Sequence, residues 1–283
     1  MNQVDSRHKL TVLVPCKDER LNIRPCIESF RDLADEILIA DSGSTDGTLE
    51  IVQRLGGCRV IEREYRTSGD FKNWAIPQAT HDWVLLVDAD ERVTAEMRQE
   101  IQEILQSPQY DGYWIHRDNH FMGHRIRYSG WQNDRVLRLF KRDLSRYEGP
   151  SDHGEVQVST GRVGRLRSRF LHYTYWTYAQ YFRKFERYTT VQAEQWHQQG
   201  KQDSFLKMLL NPILRFLRAY ILQRGFLDGS AGLQLSLLAG FYSFTKQARL
   251  WQLRRGIPQP DPEIDQQSEV STEIGRGVPK HAA

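Results

Sequence analysis

Three carboxylate side chains, Asp88, Asp90 and Glu91, directly follow the apolar run Trp83-Val84-Leu85-Leu86-Val87. Like charges this close repel one another, so a buried set of them needs a compensating cation. Their oxygen atoms are the ligands that hard divalent cations prefer, which makes a metal site the economical interpretation. A polar loop that caps a strand, with Glu91 starting the next helix, is the alternative that these residues leave open.

The elements around this cluster indicate how it is positioned. An apolar run without alternation is typical of a strand buried on both faces, in the middle of a mostly parallel sheet. Two further strands are predicted at residues 10–14 and 36–40, each followed by an amphipathic helix. This alternation predicts parallel pairing through right-handed crossovers, so the polar residues that follow each strand share one crevice at the carboxyl edge of the sheet.

The composition restricts the class of protein. The chain has 283 residues, of which 39% are hydrophobic and 27% charged, as expected for a folded soluble protein. A formal net charge of only +3 gives no electrostatic reason to expect nucleic-acid binding. Three cysteines without a C-x-x-C pair argue against a disulfide framework or a zinc site and favour a reducing compartment. The polar first residues lack the apolar region of a cleaved secretion signal.

The middle of the chain predicts further regular structure. Thr94 is expected to cap a helix that ends near Leu105. Strands are predicted at 111–121 and 135–140, and the glycine-rich residues 149–165 predict a loop and a hairpin. A helix is predicted over 177–199 from the shared face of its aromatic residues.

The C-terminal part combines apolar and basic residues. In the apolar stretch 205–222, helical spacing brings Lys207, Arg215 and Arg218 within about a quarter of the circumference. Neither this stretch nor 233–244 reaches the ~20 apolar residues of a clean membrane span. Basic groups beside a wide apolar face predict a helix that lies on an anionic membrane surface. An ordinary helical subdomain or a dimer interface built from the same pattern is the alternative.

The segment Asp41-Ser42-Gly43-Ser44-Thr45-Asp46-Gly47-Thr48 is suited to contact with a nucleotide. A carboxylate at a strand end can accept a hydrogen bond from a base or a ribose, and the glycines permit tight turns. The segment lacks both the G-K-[ST] ending of a P-loop and the G-x-G-x-x-G pattern of dinucleotide-binding folds. A capped loop without any nucleotide remains the alternative.

Taken together, three motifs in this order resemble family-two glycosyltransferases of the GT-A (Rossmann-like) fold: Val14-Pro15-Cys16-Lys17-Asp18-Glu19, the segment 40–48, and Val87-Asp88-Ala89-Asp90-Glu91. Within that family the chain is similar to the bacterial lipopolysaccharide-core glucosyltransferase group. That narrower similarity rests on residues 132–140, on His153-Gly154-Glu155-Val156, and on 224–229. The resemblance covers roughly residues 8–255 and implies an α/β fold with a mostly parallel sheet flanked by helices, followed by a C-terminal helical membrane-associating region.

The resemblance implies roles for the strand-end residues. Pro15, Glu19 and Asp41 would line the pocket for uridine. Asp88 would contact the ribose or the metal. Asp90 would bind the Mg²⁺ or Mn²⁺ ion that bridges the diphosphate of the donor.

It also implies candidates outside these motifs. Glu155, with Asp152 as second choice, would be the base that takes a proton from the acceptor hydroxyl. Lys72 is either a cation near the phosphates or a solvated surface lysine. Arg135 and Arg138 pair either with acceptor anions or with neighbouring carboxylates.

The function implied by the resemblance is an inverting, metal-dependent transfer of a hexose, with glucose expected, from a UDP-sugar to a lipid-linked saccharide such as lipopolysaccharide core. The expected organisation is a glycosyltransferase domain at 8–200, a membrane-association region at 201–256 and a disordered tail at 257–283, in a cytoplasmic protein bound peripherally to the inner face of the cell membrane. A polyprenyl-phosphate glycosyltransferase and an inactive nucleotide-sugar-binding scaffold are the competing hypotheses. The sequence leaves the oligomeric state open.

Overall fold

The computed structural model describes residues 7–148 and 154–256. Strands and helices alternate through the first part of the chain, as the sequence predicts. The strands are β1 (Leu10–Cys16), β2 (Glu36–Asp41), β3 (Cys58–Glu62), β4 (Trp83–Leu86), β5 (Glu91–Arg92), β6 (Gly112–Phe121), β7 (His124–Arg125), β8 (Arg135–Lys141), β9 (Ser145–Tyr147), β10 (Val156–Val158) and β11 (Val163–Tyr175). The helices are α1 (Ile23–Phe30), α2 (Thr48–Leu55), α3 (Ser68–Ala75), α4 (Ala95–Gln106), α5 (Tyr178–Gln198), α6 (Phe205–Leu217) and α7 (Gly229–Arg255).

One mixed sheet contains most of these strands, in the order β3-β2-β1-β4-β8-β6-β11-β5, with β7 beside β6. The strands from β3 to β4 are mutually parallel, whereas β8 runs antiparallel to both β4 and β6. The short strands β9 and β10 form a separate antiparallel pair. The predicted α/β class, a central sheet flanked by helices, is confirmed, and parallel pairing dominates its first half.

The central strands are buried on both faces, because helices cover each side of the sheet. Every residue of Trp83–Leu86 is buried. Val12 belongs to a cluster that includes Ile27 of α1, and the neighbouring Leu13 belongs to a second cluster that includes Phe71 of α3. Each such buried side chain stabilises the fold by about 1.5–3 kcal/mol relative to an exposed position. This packing fixes the strands whose ends carry the polar motifs.

The chain after β4 does not enter a helix directly. Glu91 begins the short strand β5, which pairs antiparallel with β11 so that Glu91 lies opposite His172. The helix starts later, where the Thr94 hydroxyl accepts a hydrogen bond from the Met97 N–H at 3.2 Å. The cap at Thr94 is therefore confirmed, and the alternative in which Glu91 starts the helix is wrong because a strand comes first.

The long strand β11 is the main departure from the predicted elements. The sequence predicts a loop and a hairpin over 149–165, but β11 already begins at Val163. Leu166 and Phe170 are buried while Arg167 is exposed, which is the alternation of a strand with one covered face. The arginine-rich sequence obscures this periodicity, because the apolar residues are widely separated.

Contacts divide the chain into two compact units. The first extends to Tyr181 and also contains Leu217–Leu237; the second contains Phe182–Phe216 and the chain from Leu238. This division differs from the expected boundary at residue 200, because residues 217–237 pack with the sheet-containing unit. Among the described helices, none is both long enough and apolar enough to cross a membrane. The tail expected at 257–283 lies outside the described residues.

Candidate active site

Asp88 lies beyond the end of β4 and makes two ion pairs. The Lys72 ammonium nitrogen lies 3.2 Å from one carboxylate oxygen, and the Arg138 guanidinium contacts the other. The Lys72 and Arg138 side chains are only 12% and 6% exposed. Burial acts to raise the pKa of Asp88, but the charges of Arg138 and Lys72 outweigh it and hold that pKa well below its ordinary value. Lys72 is thus not a solvated surface lysine, and Arg138 pairs with a neighbouring carboxylate.

A β-bulge directs Arg138 toward Asp88. Leu137 and Leu139 of β8 pair with consecutive residues of β6, so Arg138 has no partner of its own on that strand. Bulges of this kind redirect one side chain and recur beside active sites. The Arg138 guanidinium also donates to the Tyr147 hydroxyl at 2.5 Å, which connects the bulge to β9. Arg135, on the same strand, instead lies over the Trp114 ring at 5.0 Å from its centroid.

Glu91 is completely buried beneath Asp88. One carboxylate oxygen accepts a hydrogen bond from the Asp88 N–H at 3.0 Å, and the other lies 3.5 Å from an Arg117 nitrogen. Burial, with the negative charge of Asp88, raises the pKa of Glu91. Arg117 is held in turn by Asp134 through two hydrogen bonds of 2.9 and 2.8 Å. Glu91 therefore orders the backbone of the acidic segment, residues 88–91, through its hydrogen bond to the Asp88 N–H. It has no exposed surface on which to meet a ligand.

Asp90 faces a histidine whose orientation is fixed. The Nε2 atom of His172 lies 3.5 Å from an Asp90 oxygen. On the other side of the ring, Nδ1 lies 2.5 Å from the Asn119 side-chain oxygen. That amide has its oxygen toward His172, because its nitrogen donates to Asp134 at 3.0 Å and to the Trp131 carbonyl at 3.4 Å. Nδ1 therefore donates to Asn119, and Nε2 is the nitrogen that faces the Asp90 carboxylate, so a cation bound by both side chains would require the lone pair on Nε2.

A carboxylate and an imidazole can both serve as ligands of a divalent cation. Within residues 7–148 and 154–256, no three His, Cys, Asp or Glu side chains gather in a group that could hold a metal ion. Mg²⁺-type sites need fewer, because they commonly use one or two carboxylates and complete the shell with phosphate oxygens and water. Asp90 supplies one such carboxylate, and the His172 imidazole is a nitrogen ligand, which divalent transition-metal ions accept more readily than Mg²⁺ does. The sequence analysis did not identify His172 as a site residue. The available signal was its even-numbered spacing from the buried Leu166 and Phe170, which places all three side chains on one face of a strand.

The neighbouring strands β1 and β2 end side by side, with Cys16 opposite Asp41. Asp41 is fully buried, and one carboxylate oxygen accepts from the Gly43 and Ser44 N–H groups at 2.7 and 2.8 Å. The other oxygen accepts from the Ser44 hydroxyl at 2.5 Å. Asp41 therefore shapes the loop after β2, as the capped-loop alternative proposes, and it lies beside the end of β1 as the nucleotide interpretation requires.

The remaining uridine-pocket candidates also lie at this edge. Pro15 is the next-to-last residue of β1 and is half-buried. Glu19 follows in the turn before α1, where its carboxylate accepts from the Asn22 amide at 2.9 Å. Both residues thus flank the Asp41 loop.

The candidate base Glu155 is exposed and immediately precedes β10. Its carbonyl accepts from the Glu148 N–H at 3.2 Å, which closes the β9–β10 pair. Gly154 is packed so closely that an added Cβ would lie 2.6 Å from the Glu148 carbonyl oxygen. The second candidate, Asp152, and His153 lie outside the described residues.

The sheet thus collects polar side chains from β1, β2 and the segment after β4 at one edge, where open α/β sheets bind their ligands. These features define an α/β protein with a cluster of charged and polar side chains at the carboxyl ends of its central strands. Residues 11–168 match the family model described as glycosyl transferase family 2. The chain belongs to glycosyl transferase family 2 and is a glycosyltransferase, so the resemblance inferred from the motifs and the predicted GT-A fold are confirmed.

Curated relatives of the chain are also named as glycosyltransferases. The chain is 30% identical, over 90% of its length and 96% of the relative, to "Lipopolysaccharide core biosynthesis glycosyltransferase LpsC" of Rhizobium meliloti (strain 1021). It is 27% identical, over 87% of each chain, to an uncharacterized glycosyltransferase of Rickettsia typhi. Among solved structures it is similar to the mannosyltransferase PcManGT from Pyrobaculum calidifontis in complex with GDP-Man and Mn²⁺, with 15% identity, a TM-score of 0.46, and coverage of 95% of this chain and 81% of that one.

Proposed function

We propose that this chain is an inverting, metal-dependent glycosyltransferase that moves a hexose from a nucleotide-activated donor, UDP-glucose in the first instance, to a lipid-linked saccharide. The observation that carries the proposal is the oriented pair Asp90 and His172, with 3.5 Å between the His172 Nε2 and a carboxylate oxygen. The relative LpsC is named for lipopolysaccharide core biosynthesis, which supports a core saccharide as the acceptor.

Asp90 and His172 would hold the Mg²⁺ or Mn²⁺ ion. Such an ion acts as a Lewis acid that neutralises the negative charge growing on a departing nucleoside diphosphate. Asn119 keeps the His172 ring in the tautomer that can serve as a ligand. Asp88, although named with Asp90 as a metal ligand from the sequence, is already paired with two cations, so its proposed role is to fix Lys72 beside the diphosphate.

The uridine end of the donor would lie over the ends of β1 and β2, against Pro15, Glu19 and the loop that the fully buried Asp41 orders. Asp41 supports this by ordering the loop that follows β2 through three hydrogen bonds. A preorganised loop loses little conformational entropy when a ligand binds.

Inversion requires a base on the acceptor side, which takes the hydroxyl proton as the new bond forms. Glu155 is the proposed base and Asp152 the second candidate. The exposure of Glu155 at the start of β10 supports access to an acceptor. The β9–β10 pair is also connected to the site, since Tyr147 of β9 accepts from Arg138.

The second unit supports a peripheral position on an anionic membrane, at its cytoplasmic face. Helix α6 has no buried residue, and its apolar side chains are strongly exposed. Lys207 and Arg215 on the same helix are exposed as well. Apolar side chains beside cations suit burial in the interfacial zone of an anionic bilayer. The α6 residues more than half exposed are Phe205, Leu206, Leu209, Ile213 and Leu214.

The Asp90→Asn variant tests the proposed chemistry. We expect it to abolish sugar transfer and the Mn²⁺-dependent part of UDP binding while leaving the unfolding transition unchanged. The matched control is Asp82→Asn, since the Asp82 side chain is 84% exposed on the surface. Unchanged turnover in Asp90→Asn would refute the metal role, and UDP affinity that ignores Mn²⁺ in the wild type would favour a binding scaffold.

Vesicle flotation tests the membrane proposal. Replacing Leu209 and Ile213 together by Glu should release the protein from phosphatidylglycerol vesicles, because two charges enter the apolar face. The control replaces the exposed Gln195 and Gln198 of α5 by Glu, which adds the same charge elsewhere. Equal loss of flotation in both variants would show that net charge, and not the α6 face, determines binding.

A further inference from the structure

A cavity of about 280 Å³ lies beside the candidate active site, in the first unit, and has no role in the function proposed above. Its wall is formed by the middle of β6, by β7 and the following loop, and by β11. The lining is dominated by arginine. The lining residues that matter here are Arg117, Asp118, Arg125, Arg127, Trp131 and Arg169.

The positive charge of this cavity exceeds its negative charge. Asp118 is its acidic residue and is shared, with one oxygen 2.6 Å from Arg125 and the other 3.8 Å from Arg169. Arg117 is balanced by Asp134, which lies outside the lining. Because Arg125 and Arg169 already share the single carboxylate of Asp118, the Arg127 guanidinium adds positive charge that this carboxylate does not neutralise. Guanidinium groups bind phosphate and carboxylate through paired hydrogen bonds, so the excess charge selects an anion.

Arg117 connects the cavity to the proposed catalytic site. Arg117 lines it and also lies 3.5 Å from Glu91, whose other oxygen accepts from the Asp88 N–H. An anion held here would be separated from the acidic segment by the Arg117 guanidinium. The Trp131 side chain adds a flat apolar surface that can cover a sugar ring.

The loop that completes the wall is held by one carboxylate. Asp228 accepts hydrogen bonds from the Arg127 N–H, the Tyr128 N–H and the Ser129 hydroxyl, each at 3.0 Å. Gly130 follows with a φ of +88°, and an added Cβ there would lie 2.6 Å from the Gln223 side chain. The motif at 224–229 thus acts on the cavity wall, and Asp228 is a positioning residue.

We propose that this arginine-lined cavity binds an anionic substituent, a phosphate or a carboxylate, of the saccharide acceptor. The proposal deepens the proposed function and rests on it, since the acceptor belongs to that reaction. It replaces Arg135 and Arg138 as the groups that meet acceptor anions, because those two are engaged with Trp114 and Asp88.

Calorimetry on the full chain with UDP and Mn²⁺ present tests the inference, with glucose 6-phosphate and glucuronate as anionic probes and glucose and inorganic phosphate as comparisons. We expect at least one anionic sugar to bind more tightly than both comparisons. Arg127→Gln and Arg169→Gln should each weaken that binding about tenfold, the usual effect of losing a hydrogen bond between charged groups. UDP affinity should be unchanged in both variants.

Arg167→Gln is the matched control, because Arg167 lies on β11 with a side chain 88% exposed and does not line the cavity. Equal loss in this control would mean that general positive charge attracts the probes, and would overturn the inference. The inference would also be overturned if inorganic phosphate bound as tightly as the sugars, or if neither anionic sugar bound. A parallel loss of UDP affinity would overturn it too, because that result would assign the cavity to the donor. Wild-type protein that binds an anionic sugar but not UDP with Mn²⁺ would overturn the proposed function instead.

Discussion

Replacing Arg138 by Met is expected to lower the free energy of unfolding of the sheet-containing unit by about 3 kcal/mol. Removing one partner of a buried ion pair costs roughly 3–5 kcal/mol, because the other charge stays buried without its partner. Here Lys72 still lies 3.2 Å from Asp88, and the Asp88 side chain is 26% exposed, so water and Lys72 reduce the cost to the lower end. The lost hydrogen bond to Tyr147 contributes about 1 kcal/mol of that sum.

Urea unfolding followed by tryptophan fluorescence and by circular dichroism provides the measurement. The urea concentration at the midpoint of unfolding should fall. The slope of the free energy of unfolding against urea concentration should stay constant, since the surface exposed on unfolding does not change. Arg135→Met is the control: Arg135 is on the same strand but exposed, and its stacking on Trp114 predicts a cost of only about 0.5–1 kcal/mol.

A double-mutant cycle with Asp88→Asn separates the interaction energy of the ion pair from the destabilisation that each substitution causes by itself. Residues in direct contact show interaction energies of roughly 0.5–3 kcal/mol, and we expect at least about 1.5 kcal/mol for this pair. If Arg138→Met costs less than about 1 kcal/mol, or if the two substitutions are additive, the pair does not hold the acidic segment in place and the reasoning is refuted.

Three further predictions concern protons, metal and packing. Because Arg138 and Lys72 outweigh burial and hold the pKa of Asp88 below its ordinary value, the ion pair stabilises the fold above about pH 4 and is lost as the pH falls through the lowered pKa. The cost of Arg138→Met should therefore shrink in acid, and a cost independent of pH would contradict this. His172→Ala should weaken Mn²⁺ binding in the presence of UDP by at least about tenfold, measured by electron paramagnetic resonance, with the unfolding midpoint as control. Gly154→Ala should lower kcat with little change in UDP affinity, because the added methyl meets the Glu148 carbonyl at 2.6 Å and displaces Glu155; normal turnover would argue against Glu155 as the base.

The local sequence pattern was sufficient to predict the strands and helices that position the site. The unbroken apolar run before Asp88 corresponds to the fully buried β4, and Thr94 caps α4 as its position before the helix suggested. Strands with apolar residues on both faces can lie only between two covering layers, so the carboxyl edge of the sheet followed from the sequence. The amphipathic pattern of α6 likewise predicted a helix with exposed apolar residues.

The strand β11 and its histidine could not be predicted in this way. Its covered residues Leu166 and Phe170 are separated by Arg167 and Arg169, which make the segment look solvent-exposed. Whether a strand with this composition forms depends on pairing with β6 and β5, which are remote in sequence. Local propensity carries no information about those partners.

The sequence by itself determined the family, the α/β class and the edge of the sheet at which the carboxylates gather, because periodicity and short motifs are local properties of the chain. Only the tertiary structure decided which groups meet there: that Arg138 turns inward at a bulge, that Lys72 is buried against Asp88, and that His172 faces Asp90. The physical reason is that the charge and tautomer of a side chain depend on neighbours brought together by strand register and by the packing of helices on the sheet.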